Sequence, residues 1–486
     1  MSRSLKHALF AAAVATALYL PSLRFGFTYD DAAVVENQPQ ITGHAWGAML
    51  VSPYHTGATT RTPTGLYRPL ATLSLAANHA VSGLHPWSYH LLNVLLHALV
   101  AALVVALGAA LGLPPQASLV AGLAFAVHPV HVEPVANVAG RAELLSSAFA
   151  AAALALYLQG RRVAASVLAL AACFSKENAV TLAGIVLLWE VVNRAPLRAA
   201  LRRAAVVIIP AVAYLLVRVA VLGGLTVPAA SVTAVENPVV GLHGLARAGT
   251  LLATFARAAA LVLTPLRLAP DYGFADTVAS RSLLSPGPLA GLAVLAALTA
   301  GIVWAWRPAP RVAFLFGASA IAYAIVSNVL VVIGTILGDR LLYFPSVFLC
   351  LLFGIAVARI SGWASWTLAA IVLAALTVRA AIYLPKWRDD TTLFAYAARV
   401  APDSVRSVGS WGALLAESGK LEEARPLLDR AVALAPDFIP ARLNRAAAEM
   451  MAGDLDAAEA DARHVLSLDP DDPMARRQLA AIAARR

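Results

Sequence analysis

The chain has 486 residues, 60% of them hydrophobic and only 13% charged, with a formal net charge of +10. Soluble domains run at roughly 45–50% apolar and about 25% charged, so a water-soluble enzyme of this length is excluded and a multi-pass membrane protein is expected. The charge does not mark a nucleic-acid binder, because it is unevenly spread: residues 386–486 hold 14 basic and 16 acidic side chains, residues 1–385 hold 23 and 11. A polytopic membrane body, 1–385, is thus joined to a soluble module, 386–486.

Along the chain, Arg3 and Lys6 precede an apolar stretch from Ala8 to Leu23. Pro21, Arg24 and Phe25 stand where a signal peptide would place small residues for cleavage, so an uncleaved first helix with a cytoplasmic N-terminus is expected. A large outer loop, 24–87, follows. It opens on Phe27-Thr28-Tyr29-Asp30-Asp31. An acid held at the end of a helix suits a general base or a metal ligand; the plain alternative is a helix cap. Tyr67-Arg68-Pro69-Leu70 then begins a polar and aromatic stretch with Asn78, His79, Trp87, Tyr89, His90, Asn93 and His97. It reads as an interfacial helix or as one wall of a groove.

Eleven further apolar stretches lie near 88–112, 116–136, 142–159, 162–175, 178–193, 204–223, 249–266, 287–306, 312–335, 341–358 and 363–384. Twelve full crossings would put the basic loop Arg307–Arg311 outside, against the positive-inside rule. Stretch 249–266 also carries Arg257 at its middle, which lipid disfavours. Read as a re-entrant or interfacial helix, it leaves eleven crossings. Arg161, Arg162, Arg194, Arg198, Arg202, Arg203, Arg307, Arg311 and Arg359 then fall inside, and the tail falls outside. Cys173 and Cys350 lie in apolar runs and read as buried thiols, with no disulfide or zinc pattern.

On this topology ten of the eleven acids before residue 386 lie at the outer face: Asp30, Asp31, Glu36, Glu133, Glu143, Glu177, Glu236, Asp271, Asp276 and Asp339. Such one-sidedness suggests an outward polar site. His128-Pro-Val-His131-Val-Glu133 has metal-ligand residue types, but Pro129 and Pro134 break helical spacing and there is no HExxH pattern. Packing and hydrogen bonding at a helix end are the alternative to zinc. Arg141, Glu143, Lys176 and Glu177 sit at short outer loops, and Asp339-Arg340 joins two helices. Basic groups there suit a lipid-linked phosphate held by charge-assisted bonds; ion pairing among these same residues is the alternative. Arg218 and Arg257 carry the same two readings. No P-loop, GxSxG or dinucleotide motif is present.

In the tail, Pro402, Pro436 and Pro470 recur every 34 residues, each followed by Asp, with Gly419/Gly453, Leu421/Leu455 and Ala424/Ala458 in the same register. Thirty-four is the tetratricopeptide period. Repeats at 402–435 and 436–469 and a capping helix at 470–486 are expected. Gly412/Ala446 and Ala424/Ala458 fall where paired helices approach closely. Residues 387–401 read as one further second-helix half that docks the repeats on the membrane body. Such stacks form concave surfaces for peptides or proteins.

These strings together resemble a known group. The double Asp after helix one, the long first outer loop and about eleven spans resemble the C superfamily (GT-C type) of integral-membrane glycosyltransferases. The closer resemblance is to the transmembrane and tetratricopeptide-repeat O-mannosyltransferases and their bacterial relatives. It runs through Phe27–Asp31, Tyr67–Leu70, Tyr89–Asn93, Phe125–Glu133, Gly140–Leu145, Ser175–Glu177, Glu236–Pro238, Asp339–Tyr343 and Trp387–Asp390. Two departures stand out: only two repeats, and Asp339 where Glu is expected. The resemblance implies an all-α polytopic bundle and a sugar, mannose, carried on a polyprenyl (or dolichyl) phosphate. An acceptor hydroxyl would attack with inversion and lose its proton to Asp30 or Asp31. It further implies Arg141, Lys176 and Arg340 at the donor phosphate and leaving group, and Glu133, Glu143, Glu177, His128, His131 and Asp339 as acceptor or orienting residues, with Glu133 and Glu143 orienting the acceptor or the arginines. No cofactor is expected, a divalent metal being the alternative. The expected partners are the lipid-linked sugar, membrane lipid, and an acceptor protein or glycan held by the repeats. The expected location is a bacterial inner membrane, with the site and repeats on the periplasmic side. The competing readings are a transferase of the same fold acting on lipid or glycan, a transporter, and a non-catalytic scaffold that recruits through its repeats.

Overall fold

The computed structural model describes residues 2–54, 65–225, 232–273, 280 and 282–486, so Asp276 lies outside the described residues. Every regular element among them is helical. The first long helix, α1 (Arg3–Tyr19), ends in a 3-10 turn over Leu20–Arg24. Two single-turn helices, α2 (Pro39–Thr42) and α3 (Trp46–Met49), and the longer α4 (Pro69–Ser82) make up the outer loop. The membrane body continues with α5 (Trp87–Ala110), α6 (Pro115–Val127), the short α7 (Val132–Ala136), α8 (Arg141–Leu158), α9 (Arg162–Ser175), α10 (Thr181–Val192), α11 (Leu197–Leu222), α12 (Gly244–Leu263), α13 (Pro286–Ala305), α14 (Pro310–Ala324), α15 (Tyr343–Ala358) and α16 (Trp363–Tyr383). Seven helices among the described residues are long and apolar enough to cross a membrane, or eight if the bent stretch Pro115–Ala136 is one span. The short α9 and α14 are also apolar. Connections of three to five residues join α8 to α9, α9 to α10 and α10 to α11, and such short links force successive helices to run antiparallel.

Small residues let the inner helices touch. A β-carbon at Gly354 of α15 would collide with the Ala117 carbonyl of α6, and one at Gly122 of α6 would strike Val105 of α5. Close backbone approach of this kind drives helix packing where lipid removes the hydrophobic force between helices. The peripheral helices instead show large apolar side chains outward, as α16 does with Trp363, Trp366, Ile371, Val378 and Ile382.

Two features depart from the simple stretch-by-stretch expectation. The stretch 312–335 is helical only to Ala324. There Asn328 takes a left-handed φ of 62° and spends its buried amide on Asn237, Thr335 O and Ile336 O, so the chain turns instead of continuing. The stretch around Arg257 is one helix, α12, yet its two flanks lie together. Arg406 donates to Glu236 before α12 at 2.7 Å, and Ser404 donates to Asp271 after it at 2.7 Å. The chain leaves and re-enters the same neighbourhood, and His128 meets the far end of α12 at the Val262 carbonyl, 2.9 Å away.

A 3-10 turn, Leu384–Trp387, leads to α17 (Asp390–Val400) and then to two helical hairpins, α18 (Val405–Glu417) with α19 (Leu421–Leu434) and α20 (Ile439–Ala452) with α21 (Leu455–Leu468), closed by α22 (Pro473–Arg485). A β-carbon at Gly412 would sit 2.8 Å from Leu428, and Ala424, Ala446 and Ala458 are wholly buried: the small residues do mark the close approaches. Gly453 ends α20 with φ 83°, a left-handed cap that glycine adopts without strain. Asp389, Asp454 and Asp472 cap α17, α21 and α22.

Candidate active site

The 3-10 turn after α1 releases the chain into an extended segment whose Gly26 amide donates to the Arg388 carbonyl at 2.9 Å. Asp30 and Asp31 follow, and their environments differ. Asp31 is wholly buried. One of its oxygens accepts the Thr28 amide at 3.1 Å and the other the Ala139 amide at 2.8 Å. Burial pushes its carboxyl up to about 8, against the pull of these donors. With both oxygens committed to backbone, Asp31 shapes the turn. Asp30 has a side chain 45% exposed, and its nearest charge is the Arg340 guanidinium at 3.7 Å.

Arg340 is fixed from behind by Glu133. The Glu133 carboxylate accepts from the Arg340 side chain at 2.6 Å and from its amide at 2.9 Å, bringing together two elements 207 residues apart. Glu133 is buried while Arg340 keeps 28% exposure toward Asp30. Beneath them, buried Asp339 accepts from the Tyr272 hydroxyl at 2.6 Å, and the Arg257 guanidinium lies 4.8 Å from the Tyr272 ring centre. Arg257 is thereby engaged within the protein. In front of Asp30 lies a cavity of about 290 Å³, with Tyr29 and Phe394 beside it and Arg406, Ser410, Phe438 and Asn444 of the repeats opposite.

The other residues singled out in the sequence form a second set, away from this cavity. Arg141 is fully buried and four of its five N–H donors meet acceptors: Asn93 Oδ1 at 2.5 Å, Asn78 Oδ1 at 2.9 Å, Ser74 Oγ at 3.2 Å and the Tyr89 carbonyl at 2.8 Å. It rivets α8 to α4 and α5, away from the Asp30 cavity. Lys176 pairs with Glu143, which also accepts from Asn178 at 3.1 Å; both charges are buried. Glu177 forks with Arg68 at 2.9 and 2.6 Å. Burial works against its charge, but the Arg68 guanidinium outweighs that and holds the carboxyl at about 2. Neither Glu143 nor Glu177 faces the Asp30 cavity. Arg218 donates to the carbonyls of Gly65 and Leu225.

The histidines are spent on packing. His128 bonds the Val262 carbonyl. His131 bonds the Phe125 carbonyl and Ser346 Oγ, each at 2.8 Å. His97 bonds Tyr343 and the Ala126 carbonyl. Among the described residues no three His, Cys, Asp or Glu side chains gather as metal ligands would. In the polar stretch after Tyr67, Asn78, Tyr89 and Asn93 receive Arg141, and His90 meets the Gly26 carbonyl. Arg406, Ser410 and Asn444 were not foreseen at the site, because nothing in a 34-residue repeat says which of its faces will meet the membrane body.

A family model described as tetratricopeptide repeat matches residues 415–482. The protein O-mannosyl-transferase TMTC3 of Mus musculus is 26% identical over 475 residues, covering 89% of this chain and 51% of its own length. TMTC2 of Mus musculus is 38% identical over 155 residues, 31% of this chain and 18% of its own. Tmtc1 of Drosophila melanogaster is 24% identical, covering 91% of this chain and 64% of its own length. The chain therefore spans about half the length, or less, of the first two relatives. Among solved structures, ArnT from Cupriavidus metallidurans bound to undecaprenyl phosphate superposes over 98% of this chain and 87% of that one, at 16% identity and a TM-score of 0.42. Over about nine-tenths of its length this membrane protein, helical in every regular element among the described residues, is similar to the TMTC protein O-mannosyltransferases, and a tetratricopeptide-repeat model matches its C-terminal module.

Proposed function

We propose that the protein is a membrane glycosyltransferase of the C-superfamily type that moves a sugar, mannose, from a polyprenyl-phosphate donor to an acceptor hydroxyl with inversion. One observation carries this reading. Asp30 is the half-exposed acid of the pair, 3.7 Å from Arg340, and it opens into the cavity shared with the repeats. Asp30 takes the proton from the acceptor hydroxyl. The acceptor oxygen bonds to the anomeric carbon from the side opposite the phosphate. The carbon–oxygen bond to the phosphate breaks, and its electron pair leaves with the lipid phosphate. Arg340, pre-set by Glu133, stands where that negative charge develops. Asp31 holds the turn, and the repeats bring the acceptor, a protein or glycan, to the cavity.

The reading places eleven passes in a bacterial inner membrane, with α12 returning to the periplasmic side and Asp30 and the repeats facing outward. It assigns no cofactor. Full-length protein in proteoliposomes, supplied with labelled polyprenyl-phosphate sugars and read by mass spectrometry, tests the chemistry. Transfer from the mannosyl donor that disappears in Asp30→Asn supports it, and normal transfer by Asp30→Asn removes Asp30 as the base. A non-catalytic scaffold or a transporter would transfer nothing in either form. Ser418 is exposed while Cys173 and Cys350 are buried, so Ser418→Cys reports orientation. Labelling from the cytoplasmic side alone would reverse the topology.

A further inference from the structure

Tyr29, immediately before Asp30, has a left-handed backbone with φ 57°. A β-carbon disfavours this conformation, so contacts outside the turn must hold it. The Tyr29 amide donates to Asp390 Oδ1 at 2.8 Å, across 361 residues of chain. Asp390 is the first residue of α17, but it is not the cap of that helix. Asp389 does that work, accepting the Thr392 amide at 2.8 Å. Asp390 is thereby left for Tyr29. The same segment grips the turn at two more places: the Arg388 carbonyl takes the Gly26 amide, and the Tyr29 ring packs against Trp387 and Phe394 at 6.2 and 6.0 Å. On the far side Asp31 ties the turn to the Ala139 amide. Asp30 stands between these two anchors.

We infer that Asp390 is a positioning residue for the reaction: by accepting the Tyr29 amide it holds the left-handed turn that aims Asp30 into the cavity, so the segment bearing the repeats forms part of the catalytic apparatus. The inference rests on the reading of Asp30 as the base. A repeat module that only recruited acceptor would touch the membrane body anywhere convenient. Here its leading segment meets the backbone of the residue next to the reactive carboxylate.

The test uses the full chain in proteoliposomes. Asp390→Ala is expected to lower kcat by roughly 10- to 100-fold, since a misplacement of about 1 Å at the reacting group costs that much, with the KM for the donor within about twofold. Asp390→Asn keeps an oxygen at the same place and is expected to restore most of the rate. In a Tyr29→Gly background, where the left-handed turn needs no help, Asp390→Ala is expected to cost much less. Wild-type kcat in Asp390→Ala overturns the inference. So does an Asn variant as impaired as the Ala variant, or an equal fold-loss with glycine at 29. Hydrogen exchange of the 26–31 peptide gives a readout that needs no activity: protection of the Tyr29 amide is expected to be lost in Asp390→Ala and kept in Asp390→Asn, and unchanged protection in both overturns the hold. If the wild type transfers no sugar, or Asp30→Asn transfers normally, the functional reading fails, and the exchange result still decides whether Asp390 holds the turn.

Discussion

Two charged clusters occupy the same end of the membrane body and are built from the same residue types. In one, Arg141, Lys176, Glu143, Arg68 and Glu177 satisfy one another and their neighbours almost completely. In the other, Glu133 and Asp30 both face Nη1 of Arg340, Glu133 at 2.6 Å and the half-exposed Asp30 at 3.7 Å. Burial and pairing make the first cluster a frame, because a buried guanidinium with nearly all its donors used has little left for a ligand. Incomplete pairing marks the second as the candidate site. A buried charge is therefore only half an indication of function; the other half is unspent hydrogen-bonding capacity facing a cavity.

The sharpest way to break this contrast is Asp30→Asn. Its expected effect is a loss of roughly 10²–10⁴-fold in kcat with the thermal midpoint unchanged; a fall in stability instead would move Asp30 into the frame. Next in size is Arg141→Leu, which leaves the Asn78, Asn93 and Tyr89 oxygens buried without their donor. A destabilisation of about 3–5 kcal/mol, read by thermal unfolding in detergent, is expected. A variant of normal stability with a raised donor KM would return Arg141 to phosphate binding. Arg340→Lys keeps the charge and the backbone bond to Glu133 but loses the planar guanidinium whose Nη1 faces both Glu133 and Asp30, and transfer is expected to fall by about 10²-fold.

The Arg68–Glu177 pair gives a pH test. The Glu177 carboxyl is held at about 2 in the fold, against about 4.3 unfolded. The pair's stabilisation is complete above the unfolded value and is lost as pH falls toward 2. Glu177→Gln is expected to abolish that part of the acid sensitivity, and an unchanged acid melting profile would count against the latch. The smallest effect belongs to the double replacement Lys176→Met with Glu143→Leu. Apolar groups often replace a buried ion pair at little cost, so stability is expected within about 1 kcal/mol of wild type and the donor KM unchanged. A large rise in KM would reinstate Lys176 at the phosphate. Chelation by EDTA is expected to leave transfer intact.

Much of this architecture was legible along the chain. The repeat period, the small residues at helix contacts and the basic end of the membrane body arise from local rules: what lipid tolerates, what a close helix pair excludes, and where a helix stops. The stretch 312–335 was overread because apolarity continues past Ala324 while Asn328 turns the chain, and a buried asparagine's partners cannot be read from its neighbours.

The sequence by itself marked an apolar membrane body and a C-terminal repeat, and picked out a small set of acids and bases in the body. Only the tertiary structure decided which of them are free to act. Asp30 and Asp31 are adjacent and chemically identical; Ala139 claims one, and the other is left to face Arg340. Arg141 and Arg340 are both guanidinium groups, but four neighbours close around the first while Glu133 takes a single side-chain N–H of the second. Residue type sets what a side chain can do, whereas its remaining valence depends on partners 108, 207 or 361 residues away, and those meet only when the chain folds.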